Sequence, residues 1–126
     1  MNAFLLVGAG GAIGAMGRYG LGILVGRVWS SSFPLGTLLA NIIGSIAMGL
    51  LIGLMARFLP PGQSELRLFA AVGLLGGFTT FSSFSLDTIL LIERGDLAHA
   101  ALYIALSVVV CLIGLYLGLL LTRGSP

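Results

Sequence analysis

The sequence predicts an all-α membrane protein, one domain (residues 1–126) of four transmembrane helices. Three observations predict it. The 126 residues are 58% hydrophobic and only 8% charged, with a mean hydropathy of +1.15, outside the range of soluble domains. Four apolar runs, about 3–25, 35–58, 66–92 and 97–121, each exceed the roughly 20 residues a helix needs to cross the hydrocarbon layer. What remains between them is too short for a soluble domain.

The first run follows Met1-Asn2, which carries no Lys or Arg, and it is too long for the apolar region of a cleaved signal. It therefore reads as a mature helix. The connection 26–34 holds Trp29, suited to headgroup depth, and Pro34, placed where a helix N-terminus tolerates its missing N–H. Pro60-Pro61-Gly62 is a hard stop after span two. A tight turn at 93–96 ends span three, with Asp96 as N-cap of span four and Gly124 as the cap at its end. Small residues recur four apart at Gly10/Gly14, Gly36/Ala40/Gly44, Gly49/Gly53 and Gly114/Gly118, a pattern that lets helix backbones approach closely.

The third run contains Gly76-Gly77-Phe78-Thr79-Thr80-Phe81-Ser82-Ser83-Phe84-Ser85, a poor helix sequence. The midpoint of the run is Thr79, so the third helix is expected to be broken at mid-membrane. In lipid a freed N–H or C=O has no water to bond, and a break survives only where protein or a cavity covers it. Such breaks mark buried ion or substrate sites.

Charge is sparse. The formal net charge is +2 and the pI about 9.2, from arginines scattered along the chain with no basic stripe, so nucleic acid is not an expected partner. The single Cys111 makes no internal disulfide and reads as a small apolar residue. His99 reads as interfacial. No His/Cys/carboxylate cluster and no nucleophile–base pair is present, so the chain is not read as an enzyme. Arg57, Arg67 and Arg123 lie toward the membrane face that holds the N-terminus. Arg18, Arg27 and Arg94 lie toward the other. An even split gives the positive-inside rule nothing to act on. The expectation is an antiparallel, dual-topology homodimer, each chain paired with an inverted copy. Crossed breaks then place unbonded carbonyls around one point, a cation site.

Counting along the helices puts Arg18, Asn41, Phe81, Phe84, Asp87, Tyr103 and Ser107 in one half of the membrane, Arg18 about 6 Å from its span's midpoint at 1.5 Å per residue. An inverted partner supplies the other half-path. Tyr103 is equally readable as a belt aromatic. Ser107 is readable as a hydroxyl bonded to its own i−4 carbonyl, and Asp87 as a cap or vestibule charge. Asn41 is harder to dismiss, because a carboxamide at that depth needs partners.

Three stretches together, Gly11-Ala12-Ile13-Gly14-Ala15-Met16-Gly17-Arg18-Tyr19, Gly36-Thr37-Leu38-Leu39-Ala40-Asn41 and the run from Gly76 to Ser85, resemble the Fluc family of bacterial fluoride channels over the whole chain. Ser83 stands where that family usually has threonine, and Asp87 where it often has glutamate. The resemblance implies an inverted dimer in the bacterial cytoplasmic (inner) membrane that exports fluoride passively, with two pores and a central sodium ion. It matches Phe81 and Phe84 to pore phenylalanines, Asn41 to a pore asparagine, Arg18 to a vestibule arginine, and Tyr103 and Ser107 to a polar track. Gly76 and Thr79 match the residues whose carbonyls hold sodium. The chemistry agrees. Strongly hydrated fluoride needs replacement donors, which Asn41, Tyr103, Ser107, Thr80 and Ser83 can offer. Phenyl edges are positive, and Arg18 concentrates anions. Two other readings are a dual-topology small multidrug-type exporter, which lacks here the expected carboxylate deep in span one, and a non-transporting membrane scaffold, which leaves the polar half-path unexplained.

Overall fold

The computed structural model describes residues 2–31, 33–58 and 64–123. The Pro60-Pro61-Gly62 stop and the Gly124 cap lie outside the described residues. Among those described, every regular element is helical. We label them α1 (Ala3–Val28), α2 (Leu35–Phe58), α3 (64–78), α4 (Phe81–Glu93) and α5 (Leu97–Arg123). α3 and α4 are the two halves of the third span, and the four spans are each long and apolar enough to cross a membrane. The outer two extend slightly past the apolar runs, α1 to Val28 and α5 to Arg123, because hydrogen bonding continues into the polar flanks. α3 is π-helical over Arg67–Leu75 and α5 over Leu106–Val110, local widenings that concentrate near functional sites.

Local chemistry sets the ends. The Asn2 side chain accepts from the Phe4 N–H at 2.8 Å, capping α1. At its far end the Trp29 indole N–H donates to the Phe33 carbonyl at 3.0 Å, folding the short connection back. Gly95 has φ +80°, a left-handed conformation that glycine adopts without Cβ strain. It turns the chain so that Asp96 caps α5 through the His99 N–H, as expected, while the same carboxylate meets His99 Nδ1 at 2.8 Å.

The spans associate as two close pairs, α1 with α3 and α2 with α5. The four-apart glycines explain both. A Cβ on Gly10 would lie 2.7 Å from Leu74 N, and one on Gly14 2.8 Å from Phe78 N. On the other pair, Cβ atoms on Gly114 and Gly118 would each approach Ile46 to 2.8 Å. Backbone therefore meets backbone, the close approach that small residues permit in membranes. These glycines make their close contacts within one chain. The fully buried core is small, centred on Leu38, Leu91, Ala100 and Tyr103, while large apolar residues such as Phe4, Phe81 and Leu121 stay exposed. That distribution suits a protein surrounded by lipid or a second copy rather than water.

Gly14→Ala should cost about 1–3 kcal/mol or more by overpacking, seen as loss of the monodisperse peak in detergent size-exclusion. Gly26→Ala, with nothing within 4 Å of the added carbon, should leave that peak unchanged.

Candidate functional site

The break falls where the residues placed it, on two consecutive extended residues. Thr79 has φ −87°, ψ 158° and Thr80 φ −153°, ψ 123°. The paired glycines before it remain helical. Gly77 is glycine for packing, since a Cβ there would stand 2.6 Å from the Gly11 carbonyl oxygen.

An interrupted helix strands carbonyls on one side and N–H groups on the other, and some of them find side-chain partners here. The Thr79 N–H and hydroxyl both donate to the Leu75 carbonyl at 3.0 Å. Asn41, from α2, clamps Thr80 from both sides: its Oδ1 accepts the Thr80 N–H at 2.7 Å and its Nδ2 donates to the Thr80 carbonyl at 3.0 Å. Thr80 Oγ1 caps α4 by accepting the Ser83 N–H at 3.1 Å. Arg18, from α1, donates from Nε to the Gly77 carbonyl at 3.3 Å. Two donors are thereby diverted. In an unbroken helix the Thr80 N–H would serve the Gly76 carbonyl and the Ser83 N–H the Thr79 carbonyl. Both carbonyls lose their helical partner, and Gly76 lies on an exposed face.

Beside the break lies a cavity of about 420 Å³ that touches Asn41, Thr79, Thr80, Phe81, Phe84 and Ser107. None of its lining residues carries a charge. The Ser107 hydroxyl is buried there with no hydrogen-bond partner, so it is not the self-bonded helix hydroxyl that sequence alone also allowed. Asn41 keeps one amide N–H beyond its two bonds to Thr80. Phe81 sits at the open edge, 76% exposed, with its ring centroid 5.3 Å from that of Phe84.

Several expected residues take other positions. Tyr103 is no belt aromatic: it is fully buried, its ring packs 5.6 Å from Phe33 edge-on and 5.2 Å from Phe84, and its hydroxyl donates to Asp87 Oδ2 at 3.3 Å. The pair Tyr103–Asp87 lies behind Phe84 rather than in the cavity wall. Asp87 caps nothing, because Thr80 caps α4. Ser83 contributes its backbone N–H to that cap and does not line the cavity. Arg18 borders a second cavity of about 380 Å³, with Tyr19, Gly22, Ile23, Gly36 and Thr37.

Sequence reasoning missed Ser45 and Cys111 in the main cavity wall. Helical spacing carried the signal: Ser45 is one turn beyond Asn41, and Cys111 one turn beyond Ser107. No cluster of His, Cys, Asp or Glu suited to a metal exists among the described residues, so a cation at the break would rest on carbonyls.

Comparisons with known proteins find similarity over nearly the whole chain. The family model described as "CrcB-like protein, Camphor Resistance (CrcB)" matches residues 5–119. A protein of Rhodospirillum centenum named fluoride-specific ion channel FluC is 49% identical over 125 residues, 99% of this chain and 98% of its own length. One of Agrobacterium fabrum with the same name is 51% identical over 94% of both chains. One of Paracoccus denitrificans, also so named, is 50% identical over 98% of this chain and 96% of its own.

Asn41→Ala removes both bonds to the Thr80 backbone, each unsatisfied group costing about 1–3 kcal/mol. Amide exchange at Thr80 should accelerate by roughly tenfold or more on that basis, measured by hydrogen–deuterium exchange. Unchanged exchange would mean the clamp carries no stability.

Proposed function

The chain belongs to the CrcB-like family, and from that premise we propose that it is a fluoride-selective channel that lets cytoplasmic fluoride leave a bacterium passively across the inner membrane. The family is one of channels rather than enzymes, and the four spans make this chain a multi-pass membrane protein.

The observation that carries the reading is the orphaned Ser107 hydroxyl in an uncharged cavity. A buried hydroxyl without a partner is costly and is stabilised by a ligand that accepts its proton. The remaining Asn41 N–H points to the same ligand class, and the phenyl rings of Phe81 and Phe84 present positive edges. With no carboxylate in the wall to favour a cation, the ligand is a small anion. The free guanidinium nitrogens of Arg18 in the second cavity would raise the local concentration of that anion. Tyr103 serves through Asp87 and Phe84, holding the ring wall.

The finer reading is an inverted homodimer within the lipid, with two pores. Its support is the even distribution of arginines and the open side of the main cavity, where the exposed Phe81 awaits a second wall. Sodium fits the break. The Gly76 and Thr79 carbonyls, deprived of their helical donors, offer the hard oxygen ligands such a cation takes. Sodium there would neutralise the converging carbonyl dipoles of two chains.

A negative cell interior drives a monovalent anion outward with about 2.3 kcal/mol per 100 mV. Fluoride efflux from proteoliposomes should therefore be electrogenic, stalling until valinomycin allows potassium to follow, with chloride retained. Electroneutral efflux driven by a proton gradient would refute the channel. Ser107→Ala should leave thermal stability equal or higher, since it deletes an unsatisfied group, yet should lower fluoride flux. A variant that conducts normally would show that the hydroxyl is not a ligand.

A further inference from the structure

We propose that Arg18 is a positioning residue for the carbonyl cradle at the break, holding its Gly76 end and with it the affinity for sodium. This rests on the sodium reading above and adds to it a residue from another helix.

The Gly77 peptide is held from two places on one face of α1. Gly11 meets it so closely that a Cβ on Gly77 would lie 2.6 Å from the Gly11 carbonyl oxygen. Seven residues on, two turns along the same face, Arg18 Nε donates to the Gly77 carbonyl at 3.3 Å. Gly77 shares a peptide plane with Gly76, whose carbonyl lost its donor when the Thr80 N–H turned to Asn41. The plane that carries the Gly76 carbonyl ends on the Gly77 Cα, and Arg18, on the adjoining Gly77 carbonyl, and Gly11, against the Cα itself, hold that end in place. Asn41 holds the far end of the break in the same way through both backbone groups of Thr80, next to the Thr79 carbonyl. The cradle is suspended between two side chains from different helices.

Nε has one N–H, so the bond to Gly77 leaves the four hydrogens of the two terminal nitrogens uncommitted. Arg18 also borders the second cavity. One residue then serves two ions: Nε orients oxygens for the cation, and the terminal fork attracts the anion. Lysine, with a point charge on a flexible stem, cannot do both. The two roles also oppose each other in sign. As a bare positive charge, Arg18 would weaken sodium binding, whereas as a positioning group it strengthens it.

The test is a sodium titration of the purified protein in detergent, with N-methyl-D-glucamine replacing sodium. It is read by thermal unfolding and by the ¹³C carbonyl resonances of Gly76 and Thr79. In the wild type the Arg18 Nε–H resonance should move with the same sodium midpoint as the two carbonyls. Arg18→Lys should raise that midpoint about tenfold or more, as loss of a ligand-orienting partner does, and Arg18→Gln, without the charge, should raise it too. A tighter midpoint in Arg18→Gln would show that charge dominates and overturn the proposal. So would an Arg18 resonance indifferent to sodium, a wild-type measurement that decides even if the variants fail to fold. If the wild-type carbonyls themselves ignore sodium, the cation site falls first and this inference with it.

Discussion

A helix broken in a layer without water needs partners for the backbone groups it frees, and the rest of this protein is arranged around that need. Thr79 and Thr80 interrupt the third span. Of the groups they free, the Thr80 N–H is met by Asn41, the Ser83 N–H by the Thr80 hydroxyl and the Gly77 carbonyl by Arg18 Nε. The Gly76 and Thr79 carbonyls are among those left over, because their usual donors have been taken elsewhere. Selective satisfaction of this kind turns a defect into a polar site, as in other membrane proteins with interrupted helices.

That solution depends on distance. Asn41 is a short side chain, and it reaches Thr80 only because α2 runs close to the break, where Gly44 faces Thr79 with no room for a Cβ. Arg18 reaches Gly77 because Gly10 and Gly14 draw α1 against α3. Packing glycines and polar clamps are thus one construction. The first removes side-chain bulk, and the second uses the proximity gained.

The cavity beside the break is mostly apolar, carries no charge and holds a few polar groups. Asp87 is engaged by Tyr103 behind Phe84, and Arg18 lies in a separate cavity. The main cavity keeps hydroxyls, one amide N–H and ring edges. Under the proposed reading, such groups would offer a small anion replacement donors without a fixed counter-charge to trap it. Conduction needs that balance between admission and release.

Much of this was legible in the residues. Span number and approximate bounds follow from length and hydropathy, which are local sums. The break at Thr79, the Asp96 cap and the glycine contacts follow from local preferences that lipid enforces strictly. Which groups meet across the bundle was not legible. Asn41 and Thr80 are 39 residues apart, Arg18 and Gly77 59, Tyr103 and Asp87 16, and nothing local sets the rotation of one helix against another. The sequence placed Tyr103 and Ser107 on one helix face and treated them alike. Only tertiary packing buried the first behind Phe84 and left the second unpartnered in the cavity, with the neighbouring Cys111 beside it. By itself the sequence determined where backbone groups would be freed, because that is decided by each segment's own conformational preferences. The tertiary structure decided which side chains answer them, because helix rotation and register come from close packing between segments.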